Sequence, residues 1–516
     1  MIIPIAVIVI CLLLYYYGTR NFKYWQKRGI IHDKPIPFFG NNIDGYLFRK
    51  SVTQIATDMY RKYPNEKVVG FYRANIPELV VRDPETIKRV LVTDFEHLYP
   101  RGINHKEVVE PLMRNLFFAD GDLWRLLRQR MTPAFTSGKL KAMFPLIIDC
   151  ADRLQKRALT VSAAGKKLDA RDLMARYTTD FIGACGFGVN ADSLGDEDSA
   201  FRKLGAQIFQ PRVQDLIVAI LKEVFPDTFK HLKYLSRLED DFKKFVSDVL
   251  HLRNYKPSGR NDFIDLMLEC KQKGTIVGES IERRDKEGRP EKATVELDDT
   301  LIAAQVFVFF AAGFETSSSA TSYTLHELAF NPEIQERVQK EIDTVLAKHD
   351  NKLSYDAVKE MTYLEWTFKE AMRMLPSLGF LIRQSVRPYT FPELGLSIDA
   401  DVGIMIPLQA LHTDPEYFDN PMEFRPERFD PENFTRKQRD IYLPFGTGPR
   451  ACIGERLGLM QSLAGLAAVL SKFSVSPAAD TKRWPEIDPR SDIVQTIVGG
   501  LPLQFNERKR NVVNFN

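Results

Sequence analysis

The chain has 516 residues, 44% hydrophobic and 27% charged, an ordinary globular composition with ample material for a large core. Its 71 basic and 68 acidic residues leave a net charge of only +3, which argues against bulk electrostatic binding of nucleic acid. The five cysteines (Cys11, Cys150, Cys185, Cys270 and Cys452) are far apart and form no CxxC pair. That argues against a disulfide framework or a zinc cage and for a reducing compartment.

In chain order, Ile2 to Tyr17 come first, an apolar run somewhat short for a bilayer span of about 20 residues. Tyr15 to Tyr17 suit a membrane interface, and positive charge follows at Arg20, Lys23, Lys27 and Arg28. By the positive-inside rule the bulk of the chain then faces the cytosol. A cleaved signal peptide is disfavoured, because no basic segment precedes the run and tyrosines occupy the cleavage region. Lys34 to Gly40, with Pro35 and Pro37, reads as a stiff spacer that holds a domain away from its anchor. The expected organisation is an anchor over 1–18, a basic and proline-rich hinge over 19–40, and one catalytic domain over 41–516.

Val68 to Arg73 and Glu78 to Val81 read as short strands, and Asp83-Pro84-Glu85 opens a helix. Helical period follows over Leu123 to Met131, Lys139 to Ala158, Arg171 to Phe181 and Arg237 to Arg253. Val213 to Phe229, with Leu216, Ile217, Ile220 and Leu221, is either an ordinary buried helix or one that dips into a membrane. Lys271 to Pro290 reads as an exposed connector. Leu297 to Phe330 is a very long helix stopped by Asn331-Pro332. Pro415 to Arg450 looks irregular, and Ile453 to Phe473 is helical. The fold class is mainly α, with small sheets near the N-terminal part and near the end.

One cysteine differs from the rest. Phe445-Gly446-Thr447-Gly448-Pro449-Arg450-Ala451-Cys452-Ile453-Gly454 places Cys452 just before a helix, where N–H groups and the helix dipole favour a thiolate. Gly446 and Gly448 let the backbone fold tightly, Phe445 can shield the sulfur, Arg450 offers a cation, and Gly454 leaves room for something flat. The same run loosely fits a dinucleotide fingerprint, but Pro449 interrupts the turn and no acid lies between Glu455 and Asp480. A merely packed cysteine is the other alternative.

The pattern Phe-x-x-Gly-x-Arg-x-Cys-x-Gly resembles that of the cytochrome P-450 family, with every fixed position matched. The resemblance implies the cytochrome P-450 fold, haem b ligated axially by Cys452, and a haem–thiolate monooxygenase. Glu370 and Arg373, with the later Arg428, match the family's buried charged network. Ala312-Gly313-Phe314-Glu315-Thr316 is similar to its oxygen-activation stretch, in which Thr316 would act on oxygen and Glu315 would relay protons. The Thr316 hydroxyl is expected to bond back to the Ala312 carbonyl and open the helix locally. Trp124, Arg128, Arg383 and Arg450 fall at positions that bind haem propionates. By motif position Phe117, Val308, Ala311, Ala312, Leu378, Phe380 and Val498 would line the substrate pocket.

The stretches 121–139 and 309–317 resemble the sixth family of insect microsomal members, which oxidise plant toxins and insecticides. Ser377 departs from that group, which usually carries a second proline after Pro376. The resemblance implies an endoplasmic-reticulum anchor with the catalytic domain on the cytosolic face. It also implies lipophilic substrates and electrons from NADPH through cytochrome P-450 reductase, with cytochrome b5 as a further donor. A haem-binding sensor without turnover, or a haem–thiolate isomerase or dehydratase, would not need the intact Ala312 to Thr316 stretch.

Overall fold

The computed structural model describes residues 2–509 apart from 104–108, 164, 166, 197, 210–211, 235, 261 and 492. Its helices of ten or more residues are α1 (Ile2–Thr19), α2 (Val52–Lys62), α3 (Gly121–Met131), α4 (Ser137–Ala163), α5 (Ala170–Ile182), α6 (Ala200–Phe209), α7 (Val213–Val224), α8 (Ser236–Leu252), α9 (Phe263–Gln272), α10 (Asp299–Phe330), α11 (Pro332–Lys348), α12 (Thr362–Met374) and α13 (Glu455–Lys472). The mainly helical class read from the sequence is the class observed.

The 32-residue α10 is the axis of the main core. Asp298 starts it, its carboxylate accepting the Leu301 N–H at 2.6 Å, and Pro332 forbids its continuation. Ile302, Val306, Phe310, Leu325 and Leu328 are buried in one cluster with residues of α4, α5, α8, α12 and α13. Apolar residues lie all round α10, as expected of a helix enclosed on every side.

A second, smaller core lies under a four-stranded sheet. Its strands are β1 (Val68–Arg73), β2 (Ile76–Val81), β9 (Gly403–Ile406) and β6 (Leu381–Gln384), in that order. β1 and β2 are antiparallel neighbours, β2 and β9 run parallel, and β9 and β6 are antiparallel. At the far end β10 (Phe473–Pro477), β11 (Pro502–Glu507) and β3 (Leu168–Asp169) form a three-stranded sheet. β7 (Tyr389–Phe391) and β8 (Leu396–Ile398) form a hairpin.

Two expectations about segments need correction. The connector at 271–290 is a hairpin, β4 (Ile276–Arg284) paired with β5 (Pro290–Val295). Its exposed face is highly charged, but Ile276 and Ala293 on the other face bury against Leu126 of α3. Asp122 fixes it further by accepting from Ser280 Oγ (2.8 Å) and Ile281 N (2.7 Å). The hinge at 19–40 is not a free spacer either. Trp25 is fully buried, donates from Nε1 to the Phe71 carbonyl (3.0 Å), and lies so close to Gly70 that any Cβ there would collide with its ring. Single bridges pair His32 with Gly70 and Gly40 with Arg73, extending the sheet edge into this segment.

Candidate active site

The Cys452 loop is shaped by two glycines in the left-handed region, Gly446 (φ 69°) and Gly448 (φ 75°). A Cβ on Gly448 would collide with the Leu91 carbonyl oxygen, so this turn also needs glycine for close approach. The turn closes with Gly446 N donating to Leu443 O (2.9 Å) and Cys452 N to Phe445 O (2.8 Å). Phe445 packs against the main core, and Gly454 caps α13, its Cβ direction opening on free space.

Cys452 has solvent-accessible surface yet lies deep among protein atoms. Both fit a sulfur that faces a space enclosed by the surrounding protein. Burial pushes the thiol up; the Gly454 N–H, Arg128 and Arg101 pull the other way but do not prevail. The helix terminus thus favours the thiolate in the direction expected from the sequence, while desolvation acts against it and is the larger effect.

α10 supplies an opposing wall. Ala312 is exposed in the middle of this enclosed helix, and Val308 and Thr316, one turn to either side, are partly open. These three share one face by i, i+4 spacing, with Ala311 half-buried beside them. α10 and α13 meet where Ser317 Oγ lies 3.9 Å from the Cβ direction of Gly458. The open face of α10 thus lies near the Cys452 end of α13. Thr316 Oγ1 donates to the Ala312 carbonyl at 2.7 Å, but the helix runs unbroken across this bond, so no local opening accompanies it. Glu315 is buried and paired with Arg171 of α5, whose Nη1 also donates to Ser319 Oγ (3.0 Å).

Around the chamber four guanidinium groups converge. Arg128 Nη1 donates to the Ala451 carbonyl (2.7 Å). Arg450 stacks over the buried Trp124 ring (4.5 Å) and donates to Asp120 Oδ1 (2.6 Å) and the Ala119 carbonyl (2.9 Å). Among the described residues, Arg383 Nη1 donates only to its neighbour's carbonyl, Ile382 O (2.7 Å). Arg101, which the sequence reading missed, lies over the Phe117 ring (4.3 Å) and donates to Phe117 O (3.1 Å). Burial and mutual repulsion pull Arg383 down to about 9, Arg450 to about 10 and Arg101 well below its ordinary value; burial also lowers Arg128. Guanidinium groups shed protons very reluctantly, so these depressions register an unmet demand for negative charge. Among the described residues, Asp120 is the one carboxylate hydrogen-bonded to this cluster, and Arg383 Nε, Arg450 Nε and Arg450 Nη1 have no partner. A ligand carrying two carboxylates, such as haem, fits that demand.

The expected network is present as a buried cluster. Glu370 accepts from Arg373 Nε (2.7 Å) and Nη2 (2.9 Å), from Arg428 Nε (3.2 Å) and from the Arg425 N–H (3.0 Å). Arg373 Nη1 donates onward to the His412 carbonyl (2.8 Å), and His412 Nε2 accepts the Leu443 N–H (3.1 Å). His412, also missed in the sequence, thereby ties the network to the segment entering the cysteine loop. Of the expected pocket residues, Phe117 and Leu378 are half-buried and Val498 is exposed. Phe380 packs instead among Ile55, Met59, Val69, Phe71 and Met405, between α2 and the sheet, because its strand-entry position turns it to that core.

The family model described as "Cytochrome P450" matches residues 32–501. The chain belongs to the cytochrome P450 family. Among its relatives it is 38% identical over 509 residues to cytochrome P450 6B6 of Helicoverpa armigera, covering 98% of each chain. It is 38% identical to cytochrome P450 6a2 of Drosophila melanogaster, over 96% of this chain and 98% of that one. To cytochrome P450 6k1 of Blattella germanica it is 34% identical, over 98% and 96% respectively. This P450 is therefore a monooxygenase of the haem–thiolate type, akin to insect members of family 6, and the family implies a haem cofactor.

Proposed function

We propose that the protein is a membrane-bound monooxygenase that inserts one oxygen atom of O2 into lipophilic small molecules, plant toxins and insecticides among them, with electrons from NADPH through cytochrome P-450 reductase. The observation that carries this reading is the accessible Cys452 in its glycine-shaped loop, at the end of α13 that meets α10 near its open positions 308, 312 and 316, with four under-compensated guanidinium groups beside that loop. Bound haem supplies the oxidising chemistry. Cys452 would supply the sulfur ligand to its iron, Arg101, Arg128, Arg383, Arg450 and Trp124 would hold its carboxylates, and Gly454 and Ala312 would leave room for it. Thr316 holds water and oxygen at the α10 face, and Glu315, oriented by Arg171, feeds protons toward it. Phe117, Val308, Ala311, Leu378 and Val498 present a largely apolar surface to substrate, as small-molecule pockets do.

Membrane attachment is read from two surfaces. α1 exposes Ile3, Ile5, Ile8, Leu12, Leu13 and Tyr16 around its whole circumference, which water does not favour. At 18 residues it is close to the span length. α7 buries its charged Asp215 and Lys222 beside Val224, while Val213 and Ile217 face outward. Such a helix suits an apolar surrounding, and the face fits the endoplasmic-reticulum membrane with the catalytic domain cytosolic. Cytochrome b5 is a further electron donor on the same side.

The test is turnover in vesicles with reductase, NADPH and isotopically labelled O2, across a set of lipophilic plant compounds. One labelled oxygen atom per product, with the other in water, supports the reading. Product formed without O2 uptake would point to isomerase or dehydratase chemistry instead.

A further inference from the structure

We propose that Ser377 is a positioning residue for oxygen use, linking the pocket loop to the oxygen face of α10. Its Oγ donates to the main-chain carbonyl of Thr316 at 2.9 Å. That carbonyl belongs to the residue whose own hydroxyl donates to Ala312 O. Two hydroxyls thus run in series along one side of α10, from loop to Thr316 and from Thr316 to Ala312. A carbonyl oxygen has two lone pairs, so Thr316 can take the serine without giving up its place in the helix. In a helix that runs unbroken here, such an added bond braces the carbonyl it reaches and fixes the turn at Thr316.

The loop end of the link is itself held firmly. Ser377 O accepts the Gln495 N–H (2.9 Å), and Gln495 Nε2 donates to Pro376 O (2.7 Å) and Gln409 Oε1 (3.2 Å). Gln409 closes the clamp by donating from Nε2 to Met374 O (2.7 Å) and from its N–H to Gly379 O (2.9 Å). Gln495 is buried, so water does not compete for these bonds. Leu378 sits inside the clamp, next to Ser377. A substrate that presses on Leu378 is therefore mechanically coupled, through one hydroxyl, to the height and tilt of Thr316. The bond needs a side-chain donor at 377, which the serine hydroxyl supplies and alanine or proline cannot.

The proposal rests on the haem–thiolate reading above, and its test has one readout that does not. Hydrogen exchange followed by mass spectrometry on the full-length holoprotein reports the amides around 312–320, in the parent, Ser377→Ala and Ser377→Thr. Peroxide released per NADPH oxidised, with reductase present, reports oxygen use. The expected result is exchange about 5-fold faster and a higher peroxide share in Ser377→Ala, the order expected for one lost hydrogen bond, with both returning toward parent values in Ser377→Thr. Unchanged exchange in Ser377→Ala overturns the link. Faster exchange with an unchanged peroxide share also overturns the proposal, since the bond would then brace the fold alone. A parent protein without thiolate-ligated haem would sink the underlying reading, while the exchange data would still decide whether the link exists.

Discussion

Replacing Glu370 with glutamine keeps the shape of a buried side chain and removes the one charge that balances Arg373. Both residues are fully buried, and Arg373 has no other carboxylate partner among the described residues. Arg428 keeps a second partner in Asp419 (2.8 Å), which is largely exposed. Glutamine also replaces one acceptor oxygen with an N–H2 donor that must face an arginine donor now 2.7 or 2.9 Å away. Removing one member of a buried pair costs about 3–5 kcal/mol. That is a large part of the ~5–15 kcal/mol that holds a native protein together. It corresponds to a population of unfolded chains roughly 10²- to 5 × 10³-fold larger. Urea unfolding should show the midpoint falling with the slope unchanged, and haem retained per chain should fall in parallel. A double variant, Glu370→Gln with Arg373→Met, should recover part of the loss. Recovery stays incomplete because the His412 and Pro421 carbonyls lose their donor. A cost below about 1 kcal/mol for Glu370→Gln, or strictly additive effects in the double variant, would refute the reasoning.

Further outcomes follow from the same packing. Burial and the Arg373 cation hold His412 down to about 3, below its ordinary value. The unfolded chain therefore binds more protons, so the contribution is complete above about pH 6.5 and is lost as pH falls from there toward 3; melting curves of parent and His412→Gln should converge across that window. Arg383→Gln removes one of four crowded cations. It should stabilise the haem-free protein by about 1 kcal/mol or more while weakening haem retention, and melting both forms shows whether the signs differ. Trp25→Ala should cost about 3–5 kcal/mol if the hinge is part of the domain, and a surface-like effect below about 0.5 kcal/mol would contradict that. Gly448→Ala places a methyl against the Leu91 carbonyl, so haem content should collapse while circular dichroism keeps its helical signal.

Much of the fold was legible because it is written locally. The expected helix over Leu123 to Met131 is observed as Gly121–Met131, and that over Leu297 to Phe330 as Asp299–Phe330, since periodicity, an Asp cap and Asn331-Pro332 mark the ends. The Cys452 loop was legible because its glycines and cysteine are contiguous. What escaped is made of distant pieces. Arg101 joins Arg383 and Arg450 only after a chain separation that no spacing rule spans. The hairpin at 276–295 hid because charged residues on its exposed face swamp the alternation, leaving Ile276 and Ala293 as its buried side. Trp25, a large aromatic inside a supposed spacer, was the available signal that this segment packs. The helix-dipole argument at Cys452 was sound in direction, but desolvation in the chamber is the larger effect.

The central claim is that Cys452 is the sulfur ligand of a bound haem. The most direct measurement is the absorption spectrum of the purified protein reduced with dithionite under carbon monoxide, beside a Cys452→His control. The account predicts a strongly red-shifted Soret band in the parent and its loss in the control. A histidine-like Soret band in a well-folded parent, or no haem band at all, would contradict it.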